Sequence, residues 1–317
     1  MPSFPSRFLL TSLLTAMLWL CSAGHSLFAQ QQQFGPSPVD PLVFETDSPR
    51  YTDCVDVAAW DCPTCDDWVW TFLPKGFLYT TYWAGAAEPR LGVQVLHEKD
   101  DGAYVDSWIG GRVGFVRFGS RESLEGWQLD LLAGVRLRQD PDEELDMQST
   151  DYRFDIPLTY RQGPHAWKVG YYHVSSHLGD EFLLKNPAYP RLNFLRDVIV
   201  LGYSYYPWPE LRLYAEAGWG FHTDVSEPWE FQFGFDYGPA WPTRIYGAPF
   251  VAANVHLRQE LNFGGNFMIE GGWAWRGEGL GAGILRTGPY YYTGGSSQSS
   301  YYADSEQQIG VGLWYDF

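Results

Sequence analysis

The chain has 317 residues, 38 acidic against 21 basic, for a net charge of −17, and aromatic residues make up 18% of it although the mean hydropathy is only −0.26. So acidic a chain lacks the basic surface that phosphate neutralisation needs, which excludes a nucleic-acid partner. Beyond the first segment no run of about eighteen apolar residues occurs, so no transmembrane helix is expected.

The first segment reads as a targeting signal. Arg7 supplies a positive start, Phe8 to Leu20 is almost wholly apolar, and small residues between Ser22 and Ala29 suit a signal peptidase. Residues 1–29 are therefore expected to be a signal peptide, cleaved after Ala29 or, alternatively, after Ala23. Trp19 and Leu20 ahead of Cys21 are too bulky for a lipoprotein site. Residues 30–75 begin rich in glutamine and proline and carry Cys54, Cys62 and Cys65. They read as a periplasmic extension, with part of it available as a plug. In an oxidising compartment these cysteines predict one disulfide, its pairing open, and one thiol left over. A redox or zinc role for Cys62-x-x-Cys65 lacks a second CxxC and a histidine closer than His97.

From about Arg90 onward the sequence falls into segments of about ten residues in which apolar and polar residues alternate, the pattern of a strand with one face in lipid and the other in a lumen. Leu129, Leu131, Ala133, Val135 and Leu137 alternate with Gln128, Asp130, Gly134 and Arg136. Trp229, Phe231, Phe233, Phe235 and Tyr237 alternate with Glu230, Gln232, Gly234 and Asp236. A soluble β-sandwich also alternates, but its strands are shorter and its polar face meets water. Twelve strands are predicted, at 90–98, 104–118, 127–138, 151–162, 166–177, 197–206, 210–222, 229–238, 249–260, 265–276, 279–288 and 306–317. An even count is what single-chain bacterial barrels show.

The last predicted strand alternates Ile309, Val311, Leu313, Tyr315 and Phe317 with small and polar residues and ends on a phenylalanine. It looks like the terminal-strand signal by which outer-membrane proteins are recognised for assembly. The expected fold class is all-β, a transmembrane antiparallel up-and-down barrel over residues 76–317, in a bacterial outer membrane of the Gram-negative kind. Its expected partners are membrane lipid, lipopolysaccharide and the barrel-assembly machinery. Segments 139–150, 178–196 and 289–305 would be long outer loops, and 162–165, 206–209 and 277–279 short periplasmic turns. Inward positions include Asp130, Arg136, Arg153, Asp155, Arg161, Lys168, Arg212, Glu216, Glu230, Asp236, His256, Arg258, Glu260, Glu270 and Arg276. In about twelve strands such side chains fill the interior, which disfavours a wide porin.

One stretch looks chemical: Tyr171-Tyr172-His173-Val174-Ser175-Ser176-His177-Leu178-Gly179-Asp180-Glu181. Trp167, Val169 and Tyr171 set the lipid-facing parity, so His173, Ser175 and His177 point outward, where polar groups need partners. A serine two residues from a histidine on one strand face lies near it, and the imidazole can then act as general base if a third group orients it. Parity on the next strand turns Asn193 and Asp197 outward too, and the hairpin places Asp197 roughly opposite His173. The blander reading is a polar patch at the headgroup level, where even charge is cheap. A metal site from His173, His177 and Asp180 fails on spacing, because two histidines four apart on a strand lie about 13 Å apart. The acidic run Asp140–Asp146 lacks the glycine and terminal glutamate of an EF-hand and reads as a solvated loop, where a divalent cation such as Ca²⁺ could bridge to lipopolysaccharide.

The pair His173 and Ser175, with Asn193 or Asp197 on the neighbouring strand, resembles the site of the outer-membrane phospholipase and of the lipid A deacylase, and that resemblance implies an acyl hydrolase. The chain departs by having Ser176-His177 where the phospholipase has Asn-Gly, and by a longer connection. More broadly, Leu73-Pro74-Lys75-Gly76, Tyr82-Trp83-Ala84-Gly85-Ala86-Ala87-Glu88-Pro89-Arg90 and the His173–Glu181 stretch resemble a bacterial family of uncharacterised barrel proteins, a domain of unknown function, over residues 70–317. This second resemblance implies fold and location and no activity. Three readings follow: a filled barrel with a structural or lipid-interacting role, an outer-leaflet hydrolase using Ser175 and His173, and a narrow solute pore.

Overall fold

The computed structural model describes residues 68–239, 246–279 and 281–317. The signal segment, the three cysteines and most of the 30–75 extension lie outside the described residues. Thirteen strands are formed among the described residues: β1 (Val69–Phe72), β2 (Leu91–Glu98), β3 (Gly102–Gly119), β4 (Gly126–Asp140), β5 (Asp146–Gln162), β6 (His165–Leu178), β7 (Phe194–Trp208), β8 (Leu211–Asp224), β9 (Trp229–Tyr237), β10 (Ala248–Arg258), β11 (Gly265–Arg276), β12 (Ile284–Gly295) and β13 (Ser305–Asp316). From β2 onward each pairs antiparallel with the next, and β13 returns to pair with β2, from Tyr315 opposite Leu91 to Gln308 opposite Glu98. Strands β2 to β13 thus close a twelve-stranded up-and-down barrel.

The wall has one irregularity, and it fills the barrel. Strand β2 covers β3 from Gly102 to Ile109, while β1 covers its lower end from Val116 to Gly119. The two short strands share one lane along β3. Between them residues 73–90 leave the wall and pass into the lumen, where Leu78, Tyr79, Tyr82 and Ala84 are almost completely buried. The barrel therefore takes in residues ahead of Gly76. At the end that holds Phe317 this segment touches the turn after β11. Gly76 and Gly281 meet backbone to backbone there, both at positive φ, and a Cβ on either would strike the other's Cα.

Inward and outward faces differ in the sense opposite to a soluble protein. Outward positions are large and apolar, as with Ile109, Val169, Leu201, Ile309 and Val311. Aromatic side chains gather toward the two ends. At the end holding Phe317 stand Trp127 against Tyr160 and Trp167 against Tyr203, and toward the other end Tyr171, Trp219 and Phe221. These are the two interfacial girdles of a membrane barrel, with the apolar band between them.

Strand boundaries match the alternation to within a few residues, with two corrections. Strand β5 begins at Asp146 and not at 151, so the connection expected to be a long loop at 139–150 spans only 141–145. The segment expected at 279–288 is β12, Ile284–Gly295, so Pro289–Gly295 belong to the wall and not to the outer loop, which is correspondingly shorter. Pro289, Gly288 and three successive tyrosines hide the alternation there. Tyr290 and Tyr292 turn inward and are buried, while Tyr291 faces out and accepts a hydrogen bond from Gln307. Where the chain turns from β11 to β12, Gly277 N–H donates to Gly283.

The lumen is occupied by charges in pairs. Arg138 donates to Asp106 at 2.8 Å and to Glu306 at 2.7 Å. Arg286, at 0% exposure, lies between Glu270 and Asp316, the latter at 2.7 Å, with its guanidinium 5.1 to 5.3 Å from the rings of Trp83, Phe250 and Trp314. Truncating one member of so buried a set strands the others, at about 3–5 kcal/mol. The variant Arg286→Met is accordingly expected to lose that much stability in urea unfolding from lipid vesicles, whereas Lys185→Ala, which removes an exposed pair, should leave the unfolding curve nearly unchanged. A filled lumen also predicts that the wild type carries no steady current in planar bilayers. Replacing residues 77–88 by a short Gly/Ser linker should open one, and a conducting wild type would restore the pore reading.

Candidate functional site

Strand β6 carries its two faces to different tasks. Its inward residues are tied to the lumen: the Tyr172 hydroxyl donates to Glu230, and Ser176 donates to Asp151 at 2.5 Å and meets Ser300 at 2.6 Å. Its outward residues Tyr171, His173 and Ser175 stand on the lipid-facing wall. Register then brings Asp197 of β7 directly opposite His173, and His222 of β8 directly opposite Asp197.

The Asp197 carboxylate is the centre of the cluster. It accepts from the Tyr171 hydroxyl at 2.6 Å, from His173 Nδ1 at 2.8 Å and from His222 Nδ1 at 2.9 Å. Three donors converging on one carboxylate require it to act as acceptor only. His173 then carries a proton on Nδ1, and in the neutral ring this leaves Nε2 with a lone pair, the tautomer a general base needs. The His173 side chain is about one-third exposed and that of His222 more than half. Ser175 sits on the same face, two residues nearer the Leu178 end of β6, flanked in register by Tyr152 and Leu195.

Asn193 is placed differently. It precedes β7, and its amide donates at 2.9 Å to Asp224, the last residue of β8. The position beside His173 is filled by Asp197, and Asn193 is not part of the cluster. His177 faces outward as expected but packs edge-on against Tyr152, 6.0 Å between centroids. Asp180 and Glu181 open the short helix α1 (Asp180–Lys185). The acidic run Asp140–Asp146 is gathered by Lys185 of that helix, whose ammonium bonds Asp146 at 2.6 Å and also Glu143; these bonds push its pKa up. Among the described residues no group of three or more His, Cys, Asp or Glu side chains is arranged to hold a metal ion.

Two members of the cluster escape sequence reasoning. Tyr171 passes for one more girdle aromatic. His222 has the parity of Gly218 and Gly220, which face inward, so alternation assigns it to the lumen. A bulge in the pairing of β7 with β8 reverses this: Asp197 pairs with His222 but Val198 with Gly220, so Phe221 is extra and His222 turns out. The available signal was Gly220, since a glycine within a strand marks such bulges.

A closed antiparallel barrel with a charged, filled lumen and an apolar outer wall ringed by aromatics is a membrane-spanning barrel of the bacterial outer-membrane type. Within that class the chain belongs to the family described as "Protein of unknown function (DUF1207)", whose family model matches residues 72–317. No curated protein matches it in sequence. Similar solved structures include the outer membrane phospholipase A from Escherichia coli, at 12% identity and TM-score 0.45 over 73% of this chain and 95% of that one. The Salmonella typhi outer membrane phospholipase dimer with bound calcium gives 11% identity and TM-score 0.47 over 71% and 90%. A mutant Rh. blastica porin gives 9% and 0.30 over 71% and 97%. At such identities and scores chemistry does not transfer, and the site has to be understood from its own residues.

If Asp197 is what satisfies the polar groups on this stretch of wall, Asp197→Ala should destabilise the barrel by about 1–3 kcal/mol, the cost of stranded donors. Asn193→Ala, at an exposed loop, should stay within about 0.5 kcal/mol. Urea unfolding in vesicles measures both, and equal effects would deny Asp197 that part.

Proposed function

We propose that the chain acts on lipids of the outer leaflet as a serine acyl hydrolase, with Ser175 as nucleophile, His173 as general base and Asp197 as the group that orients it. The observation that carries this reading is the His173 Nδ1 to Asp197 hydrogen bond on the lipid-facing side of the wall, beside a serine on the same strand face. Polar residues facing lipid are costly unless they serve one another or a substrate, and here the arrangement leaves the basic Nε2 of His173 unengaged by Asp197.

In the reaction, Ser175 Oγ bonds to the acyl carbon of a lipid ester while its proton passes to His173 Nε2. The ester C–O bond then breaks and the alcohol leaves with that proton. Water, deprotonated by the same nitrogen, attacks the acyl-serine and releases the fatty acid, restoring Ser175. Asp197 keeps the ring in register and steadies the imidazolium.

The orientation that makes this the outer leaflet follows from the connections. The short turns at 163–164 and 209–210 lie at the end of Phe317, whereas the connection of 179–193, with α1, lies at the end nearer His173. On this reading the 30–67 segment is periplasmic, and lipopolysaccharide surrounds the upper wall.

A second reading is favoured by the saturation of Asp197: with three donors bound, the cluster also works as a polar clasp joining β6, β7 and β8 at the membrane interface, and the protein is then structural or lipid-interacting. Fatty-acid release from phospholipid or lipid A by the refolded full chain separates the two. The hydrolase predicts that Ser175→Ala and His173→Ala each lose about 10³-fold or more, and that an alkyl phosphonate labels Ser175. Release unchanged in both variants, or none from the wild type, leaves only the clasp.

A further inference from the structure

The row of outward residues that holds the polar cluster continues beyond it. Across the wall His222, Asp197 and His173 are followed by Phe154 of β5, Ala133 of β4 and Gly111 of β3, each directly paired with the one before. Beyond Phe154 the side chains all but vanish. Ala133 and Gly111 form the floor of an open trough of about 380 Å³, edged by Ile109, Val135 and Tyr152 and reaching His173 at its near end. A Cβ built on Gly111 would meet nothing within 4 Å, so the space above it is open. Elsewhere the same wall carries residues such as Val113, Leu158 and Val169, so the hollow arises because two small residues sit side by side.

The row is steeply inclined to the membrane. His222 lies two residues inside the outer end of β8 at Asp224, and Asp197 three inside that of β7 at Phe194. His173 is five inside the end of β6 at Leu178, and Gly111 nine from the start of β3 at Gly102. At about 3.3 Å per residue and a tilt near 45°, Gly111 sits roughly 9 Å deeper in the bilayer than His173. A groove that starts at a polar interfacial cluster and descends into hydrocarbon is shaped like a lipid: ester at the top, tail below.

We propose that this trough is an acyl-chain site, holding one tail of an outer-leaflet lipid along Ala133 and Gly111 with its ester beside His173 and Ser175. Its occupant is an acyl chain because the trough opens on the lipid-facing wall, is largely apolar along its length and, among the described residues, is covered by no other segment. The assignment rests on the hydrolase reading for the ester's fate, but not for the tail's seat. With it, specificity lies in the tail: the substrate class is long-chain acyl esters, and the two small residues set how closely the chain can approach the wall.

The test uses the refolded full chain in vesicles of phosphatidylethanolamine containing a tracer phospholipid with a diazirine near the middle of its acyl chain. Photolysis of the wild type is expected to label Ala133, Phe154 and Gly111 several-fold above Ala215, an equally lipid-facing alanine on β8. Gly111→Leu and Ala133→Leu fill the trough and should abolish that excess, while Ala215→Leu should not. In hydrolysis the two filling variants should lose about tenfold or more in kcat/KM on the long-chain phospholipid and retain activity on a water-soluble butyrate ester, the loss expected for added methylenes in a fitted apolar site. Even labelling around the wild-type barrel overturns the trough, as does long-chain hydrolysis unchanged by filling. Excess labelling from a wild type that releases no fatty acid upholds the trough and removes the hydrolase.

Discussion

Residues 73–90 run through the lumen without regular secondary structure, and apart from Tyr82 and Gly85, which accept from Gly85 and Glu88 in turns, most of the buried carbonyl oxygens have to find side-chain donors. An unpaired buried carbonyl costs about 1–3 kcal/mol, so a stretch of them would not stay inside unless side chains supplied donors, from the wall and from the segment's own last residue. Arginines do so. Arg90 caps Trp83 at 2.6 Å, Tyr82 at 2.7 Å and Gly85 at 3.0 Å; Arg212 caps Thr81 at 2.8 Å and Thr80 at 2.9 Å; Arg117 reaches Lys75 and Gly76, and Arg136 reaches Ala86. The planar fork of guanidinium suits this work because one side chain serves two or three acceptors at once. Each buried arginine then needs its own counter-charge, and the inward carboxylates follow: Asp236 for Arg212, Asp151 for Arg136, Asp316 for Arg90 and Arg286. The mixed charges of the inner face are therefore partly the consequence of burying an irregular segment.

That constraint explains what could be read from the sequence and what could not. Alternation reports which face a residue takes, and with one face in lipid it does so for ten residues at a time, so the barrel, its strand number and the inward charges were legible. Residues 73–90 have no period, and nothing in their order says that they enter the barrel. The pairing partners of the arginines were equally hidden, because Arg212 to Thr80 and Arg286 to Trp83 are contacts between distant parts of the chain. β12 was misplaced because Pro289 and successive tyrosines mask the period. His173, Ser175 and Asp197 could be found by parity since all three lie on regular stretches, whereas His222 could not, because a single extra residue at Phe221 reverses every face beyond it.

The filled lumen also bears on the outer wall. A side chain pointing to lipid has no packed neighbour to fix it, and a constellation that needs positions held within about half an ångström is better built on strands anchored from behind. On β6 the anchors alternate with the cluster itself: Tyr172 binds Glu230 and Ser176 binds Asp151 and Ser300, while Tyr171, His173 and Ser175 project between them. Glu230 is in turn tied to Arg196, the residue before Asp197 on β7. The inner network thus fixes both strands that carry the polar pair, immediately behind it.

Burial of the 73–90 segment requires the arginines, the arginines require the carboxylates, and that network holds β6 and β7 at the register that sets Asp197 against His173. Across β3 to β5 the same inner support has a different outcome. Gly110 and Gly134 face inward beside Arg90 and Pro89, so that Gly110 has no room for a side chain and one at Gly134 would press on Pro89. The wall there is drawn tight onto the buried segment, and the outward neighbours Gly111 and Ala133 leave the trough on its far side. One buried segment accordingly sits behind both features of the lipid-facing surface, the polar cluster and the hollow beside it.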